Sequence, residues 1–248
     1  MGKIALITGA TSGFGKSAVE LFIKNGWKVI GTGRRKERLD ALTAQLGENF
    51  YGLAFDIQNT DQIASVIDSI PKDFQAIDLL INNAGLALGT APAQSCDLDQ
   101  WNTMVDTNIK GLMTLTHKVL PKLIEQKGAV INISSVAASY PYPGGNVYGG
   151  TKAFVVQFSL GLRSDLHGTG VRVTCVEPGM SETEFTLVRT KGDQGASDKL
   201  YDGANPMTGE DIANTLYWIA TLPSHVNINR IELMPVRQSF SPFQVHRD

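Results

Sequence analysis

Residues 4–15 read Ile4-Ala5-Leu6-Ile7-Thr8-Gly9-Ala10-Thr11-Ser12-Gly13-Phe14-Gly15, an uncharged apolar run that breaks at a glycine-rich turn and passes into a helical pattern. A strand buried on both faces reads this way. Glycines in such a turn permit a sharp reversal and let an anion approach main-chain N–H groups, and the first amides of the following helix favour negative charge. The spacing is GxxxGxG, a weak signal in isolation. Its place between a first strand and a first helix is the context in which a dinucleotide pyrophosphate is held. Thr8, Gly9, Thr11, Ser12, Gly13, Phe14 and Gly15 are therefore candidate contacts.

The same alternation continues outward from this turn. Short β-rich runs at 4–7, 28–30, 51–55, 79–81, 129–133 and 172–176, with a seventh at 231–234, are separated by helical patterns at 14–25, 35–46, 60–70, 98–126, 147–166 and 209–222. Strands joined by crossover helices pair in parallel, and near-continuous apolar strands need cover on both faces. The expected fold is α/β: a doubly wound, Rossmann-like parallel sheet of about seven strands in a single domain, 1–248. Residues 181–206 are polar, Gly-bearing and poorly periodic, which predicts a lid rather than a plain connection; a C-terminal tail follows the last strand.

Composition narrows the partners. The chain has 248 residues, and its 22 basic and 24 acidic side chains set up no field for nucleic acid or an anionic membrane. A small-molecule partner is expected. Cys96 and Cys175 form no CxxC pair and are too few for a disulfide framework. With no charged leader and no run of spanning length, the sequence predicts a cytoplasmic protein. His117, His167, His225 and His246 are scattered without ligand-like spacing, so no metal is expected.

The second strand carries the choice of dinucleotide. A site for NAD generally ends that strand in an acid that accepts from the ribose hydroxyls. Here Gly33 stands in that place and Arg34 and Arg35 follow, offering charge and donors to an additional phosphate, so NADP is the expected cofactor. Asp56 and Ile57 close the third strand, where Asp56 either accepts from an adenine amino group or caps the next helix. Asn82-Asn83-Ala84-Gly85 ends the fourth strand, where Asn side chains fix turns; Asn83, Ala84 and Gly85 are candidate cofactor contacts.

Ser135 follows the fifth strand, and Tyr148 and Lys152 lie four apart on one helix face. A free tyrosine has a pKa of about 10, and a nearby ammonium favours the phenolate. Lys152 is expected to supply that charge and hold a ribose, and Ser135 to hydrogen-bond a substrate oxygen. A Tyr-xxx-Lys pair by itself usually marks only an exposed helix face; the preceding Ser and the cofactor signals give it weight.

Over nearly its whole length the chain resembles the short-chain dehydrogenase/reductase family, through TGATSGFG, Asp56, NNAG at 82–85, Asn108, the Ser135-Tyr148-Lys152 set and Pro178-Gly179. The resemblance implies that Asn108 organises a water-linked proton relay to the lysine. It also implies that Pro178 and Gly179 border a nicotinamide pocket, with Thr183 among the cofactor contacts. Within the family the chain is most similar to the NADP-dependent 3-hydroxy acid dehydrogenases, in NNAGLALG, in YPYPGGNVYGGTKAFVVQFSLGLRSDLHGTGVRV, in EPGMSETEF and in HVNINRIELMPVRQS. That similarity implies oxidation of serine, L-allo-threonine and related 3-hydroxy acids and reduction of malonic semialdehyde. It also implies a homotetramer built on the helices at 98–126 and 147–166, although Phe154, Phe158 and Leu162 equally suit a monomer core. A 3-oxo acid product can lose carbon dioxide without a further catalytic group. For the substrate carboxylate the expected reader is Arg189 in the lid, with Lys191 and Arg237 as alternatives. Another ketoreductase of the same fold and a non-catalytic NADP(H) sensor are the competing readings.

Overall fold

The computed structural model describes residues 2–240. Seven strands form one sheet: β1 (Ile4–Thr8), β2 (Lys28–Gly33), β3 (Phe50–Ala54), β4 (Leu79–Asn82), β5 (Ala129–Ile133), β6 (Arg172–Pro178) and β7 (Arg230–Leu233). They lie in the order β3-β2-β1-β4-β5-β6-β7 and every pair is parallel. The chain therefore leaves β1 on one side and resumes on the other at β4, which makes the crevice above β1 and β4 the switch point where ligands bind in such sheets.

Strands β1, β4 and β5 are buried at every position because successive side chains serve opposite, covered faces, whereas edge strand β7 carries exposed Arg230 and Glu232. Ala5 and Ile7 of β1 enter one core with Val19 and Phe22 of α1 (Gly13–Lys24), Leu39 of α2 (Lys36–Leu46) and Leu216 of α9 (Gly209–Thr221). Phe22 anchors this layer, with Trp27 and Tyr217 set edge-on to its ring at centroid distances of 5.1 and 5.3 Å. Ile4 and Leu6 enter the other core with Ile63 of α3 (Thr60–Asp68), Val119 of α5 (Leu112–Gln126) and Leu162 of α6 (Asn146–Asp165). Leu162 is thus a core residue, whereas Phe154 and Phe158 are half-buried and stacked on each other.

Two local departures from the expected pattern matter for the site. The helix anticipated over 98–126 is broken: α4 (Leu98–Val105) passes through a π-helical turn, Asp106–Gly111, before α5 begins. Gly111 presses on the loop after β3, where an added Cβ would stand 2.7 Å from the Ile57 carbonyl oxygen. The wider turn rotates both Thr107 and Asn108 into the interior. Residues 181–206 form two short helices, α7 (Glu184–Arg189) and α8 (Gln194–Tyr201), rather than an irregular excursion. A parallel bridge between Ser181 and Met207 closes its base, and a capping box of Thr208 and Asp211 starts α9.

Among the described residues no helix is long and apolar enough to cross a membrane, and no group of three His, Cys, Asp or Glu side chains is placed to hold a metal ion. His246 and the end of the C-terminal tail lie outside the described residues.

Candidate active site

A cavity of about 440 Å³ opens along the carboxyl edge of the sheet, lined at one end by the glycine-rich turn and at the other by Ser135, Tyr148 and Arg189. The turn leaves its backbone amides unobstructed. Gly9 has φ +68°, and a Cβ there would meet the Asn83 side-chain Nδ2 at 2.9 Å. The N-cap of α1, Ser12, makes no side-chain capping bond, and the first turn of α1 contains no acid, so the helix presents its amide end to the cavity. Asn83 fixes the turn from the neighbouring strand: its Nδ2 donates to the Thr8 carbonyl at 2.8 Å, and the Asn83 and Ala84 amides donate to Thr8 Oγ1 at 2.9 and 2.8 Å.

Gly9, Thr11, Ser12, Gly13 and Phe14 line the cavity, as do Asp56, Ile57, Asn83, Ala84, Gly85, Pro178, Gly179 and Thr183. Thr8 and Gly15 do not; Thr8 is buried among the strand ends, and Gly15 packs beneath the turn where an added Cβ would collide with the Gly9 carbonyl. They shape the cradle from behind. Asp56 accepts from the Gln58 amide at 3.0 Å and faces Arg34 Nη1 at 3.8 Å. It makes a turn and does not cap α3, whose N-cap is Asn59. Asn82 points away from the cavity into a buried chain with Thr116 and Asn132.

Arg34 and Arg35 both lie on the cavity wall. Arg35 donates through Nε and Nη2 to Thr11 Oγ1 at 3.2 and 2.9 Å, through Nη2 to Ser12 Oγ at 2.8 Å, and through Nη1 to Glu184 at 2.9 Å. Arg38 also reaches Glu184, at 2.8 Å. These last two residues were missed by sequence reasoning. Arg38 had a signal, one helical turn beyond Arg35 on α2; Glu184 had none, since its partner is 146 positions away.

At the other end, Tyr148 and Lys152 project from the first turns of α6 and Ser135 stands at the N-cap of the short turn after β5. Ser135 Oγ accepts from the Ala137 amide at 3.1 Å and donates to the Pro178 carbonyl at 3.4 Å, and it faces the same cavity as the Tyr148 hydroxyl. Burial raises the Tyr148 pKa well above its ordinary value; the nearby Ser135 hydroxyl and the positive charge of Arg189 oppose that shift without cancelling it. Burial also lowers Lys152, to about 8. Its Nζ donates to the Ile133 carbonyl at 2.9 Å and lies 5.8 Å from the Tyr148 ring centre. The expected depression of the tyrosine by the lysine is therefore not what the protein groups produce: desolvation wins at both residues.

Asn108 stands behind this pair rather than on the cavity wall. Its amide donates to the Leu86 carbonyl at 2.8 Å and to Thr151 Oγ1 at 3.0 Å, and its Oδ1 accepts from the Leu86 amide at 2.9 Å. A Cβ on Gly85, in the loop after β4, would stand 3.3 Å from both Asn108 Oδ1 and Lys152 Nζ, a tight approach that a side chain there would crowd.

Arg189 ends α7 and lies over the Tyr142 ring at 5.2 Å, with Nε donating to the Gly89 carbonyl at 3.4 Å. Of the three cationic candidates it alone lines the cavity; Arg237 donates to the Gly203 carbonyl, and Lys191 lies outside the wall.

A buried phenol and ammonium at one end of a dinucleotide-type cradle define an oxidoreductase of the dehydrogenase class. The chain belongs to the short chain dehydrogenase family, whose model matches residues 3–194. It is 65% identical over its full length to the full length of a serine 3-dehydrogenase of Agrobacterium fabrum. It is 54% identical to the NADP-dependent 3-hydroxy acid dehydrogenase YdfG of Salmonella typhi, with 98% of this chain and 99% of that protein covered. A solved structure described as the closed form of serine dehydrogenase complexed with NADP+ superposes with a TM-score of 0.95 at 52% identity, covering 99% of this chain and all of the other.

Proposed function

We propose that this chain is an NADP(H)-dependent oxidoreductase acting on the hydroxyl of small 3-hydroxy acids, with serine and L-allo-threonine as oxidative substrates and malonic semialdehyde as a reductive one. The observation that carries the reading is that Ser135, Tyr148 and Arg189 line one end of a single cavity whose other end is the glycine-rich cradle. The names of the serine and 3-hydroxy acid dehydrogenases to which it is similar support the substrate class.

The residues present suit NADP: an uncapped helix N-terminus for the pyrophosphate, no acid at the end of β2, Arg35 bonded to Thr11 and Ser12, and Arg34 on the cavity wall. When bound, the oxidised nicotinamide supplies the hydride acceptor and a positive charge. Ser135 holds the substrate oxygen, and the Tyr148 phenolate takes the hydroxyl proton as hydride leaves the same carbon; in reduction the phenol returns that proton. Lys152 holds the nicotinamide ribose and adds its charge to this end. Asn108 is a positioning residue that fixes Leu86 and the strand end beside the lysine. Arg189, whose Nη donors meet no acceptor among the described residues, pairs with the substrate carboxylate. Closure of α7 and α8 over the substrate excludes water and strengthens that pair.

Initial rates over serine, L-allo-threonine, 3-hydroxyisobutyrate and carrier-linked 3-oxoesters, each with NADP(H) and NAD(H), test this reading. Small hydroxy acids with NADP⁺ should lead, and a panel led by carrier-linked esters would favour a different ketoreductase. Arg189→Ala should raise the KM for serine at least tenfold more than that for a neutral alcohol of similar size, since a charge-assisted bond contributes about 1.5–3 kcal/mol; equal proportional losses on both would leave Arg189 a structural part of the lid.

The pH profile carries a second expectation. Oxidation needs the phenolate and reduction the phenol, and burial places Tyr148 on the protonated side at neutrality. Oxidation rates should therefore climb as pH rises into the alkaline range while reduction rates fall, and parallel profiles in the two directions would contradict the assignment.

The working form we propose is a cytoplasmic homotetramer. Leu98, Met113 and Ile124 on α4 and α5 are exposed apolar side chains that a subunit partner would cover, and both cysteines are free. Light scattering at micromolar concentration should return four times the chain mass.

A further inference from the structure

Arg35 and Arg38 share one carboxylate, and it comes from the lid. Arg35 Nη1 donates to Glu184 Oε2 at 2.9 Å, and Arg38 Nη1 donates to Glu184 Oε1 and Oε2 at 2.8 and 3.1 Å. The same Arg35 guanidinium also grips Thr11 and Ser12 of the glycine-rich turn. One side chain thus ties the cradle to the first residue of α7. Half-exposed ion pairs contribute little to stability, so the importance of this one lies in its position. The end of β2 beside the glycine-rich turn is where this architecture receives the ribose of an adenine dinucleotide, and the cations there are already partnered by an anion of the chain itself.

A carboxylate cannot remain at hydrogen-bond distance from guanidiniums that turn to a phosphate without facing that phosphate at close range, and like charges there repel. We infer that Glu184 is a specificity-determining residue for the cofactor: its carboxylate competes with a ribose 2′-phosphate for Arg35 and Arg38, and binding of the phosphate displaces it and frees the start of α7. The inference rests on the NADP reading above. It follows that part of the phosphate's attraction is spent on displacing Glu184. A dinucleotide without the 2′-phosphate leaves the tie between turn and lid in place.

The probes are 2′,5′-ADP, which carries the phosphate without the nicotinamide half, and 5′-AMP, which lacks it. By isothermal titration calorimetry at low ionic strength, Glu184→Gln should bind 2′,5′-ADP about three- to tenfold more tightly than wild type, with 5′-AMP unchanged. Glu184→Ala should move in the same direction, and added salt should shrink the gain. Trypsin cleavage after Arg189 and Lys191 gives a second readout. In wild type 2′,5′-ADP should accelerate it, and in Glu184→Gln it should be fast with or without the probe. Unchanged or weaker 2′,5′-ADP binding in both variants would overturn the competition. If wild type itself failed to prefer 2′,5′-ADP over 5′-AMP, the NADP reading would fall together with it; a clear wild-type preference with indifferent variants would sink the competition alone.

Discussion

Tyr148→Phe is expected to lose about a hundredfold to ten-thousandfold in turnover while binding NADPH as wild type does, the range that general acid–base groups contribute. The substitution removes one oxygen and almost no packing. The ring stays between Leu86, Met104 and Ala137 and keeps its contact with Phe185 at 5.7 Å between centroids, so the fold has no reason to change. What disappears is the hydroxyl that shares the cavity with Ser135, and with it the proton it would transfer. Cofactor titration by fluorescence beside steady-state kinetics separates the two effects. A folded variant with wild-type turnover would remove Tyr148 from the chemistry. Equal losses of turnover and of NADPH affinity would make it a cofactor-binding residue instead.

The second large effect is expected at the opposite end of the cavity. In the Arg34→Ala, Arg35→Ala double variant, NADP(H) should bind more than tenfold more weakly, because each lost charge-assisted bond is worth roughly 1.5–3 kcal/mol. NAD(H) should change far less. The two arginines are held differently: Arg34 is mostly exposed and only loosely opposed to Asp56, while Arg35 is bonded to Thr11, Ser12 and Glu184. Proportionate losses for both dinucleotides, measured as dissociation constants at one salt concentration, would mean that Arg35 acts by bracing the glycine-rich turn and not by reading the phosphate.

Much of the fold was legible because its strands are short apolar runs bounded by turns, and the run at 129–133 falls on β5 to the residue. The seventh, at 231–234, falls one position beyond β7. The broken helix was not legible. Residues 98–126 keep a helical hydrophobic period through the π turn, and nothing local marks the place where Gly111 must yield to the Ile57 carbonyl. The two lid helices have only 6 and 8 residues, too short for periodicity to stand out, and are set by local caps at Thr183 and Asp193. For the candidate site, spacing alone put Tyr148 and Lys152 on one face of α6. It gave no hint of how deeply they are buried, and burial decides the direction in which both titrate. Glu184 illustrates the remaining limit: its meaning comes from a contact between distant segments, and only the assembled sheet edge brings them together.

In the proposed reaction, hydride passes from C3 of a small 3-hydroxy acid to NADP⁺ while Tyr148 receives the hydroxyl proton. Serine carrying deuterium at both C3 positions, with the reduced cofactor examined by mass spectrometry, follows that hydride. Wild type should form NADPH one mass unit heavier than that made from unlabelled serine, and Tyr148→Phe should form the same labelled product far more slowly. Reduced cofactor without the label, or none from any hydroxy acid in the panel, would rule out hydride transfer from C3.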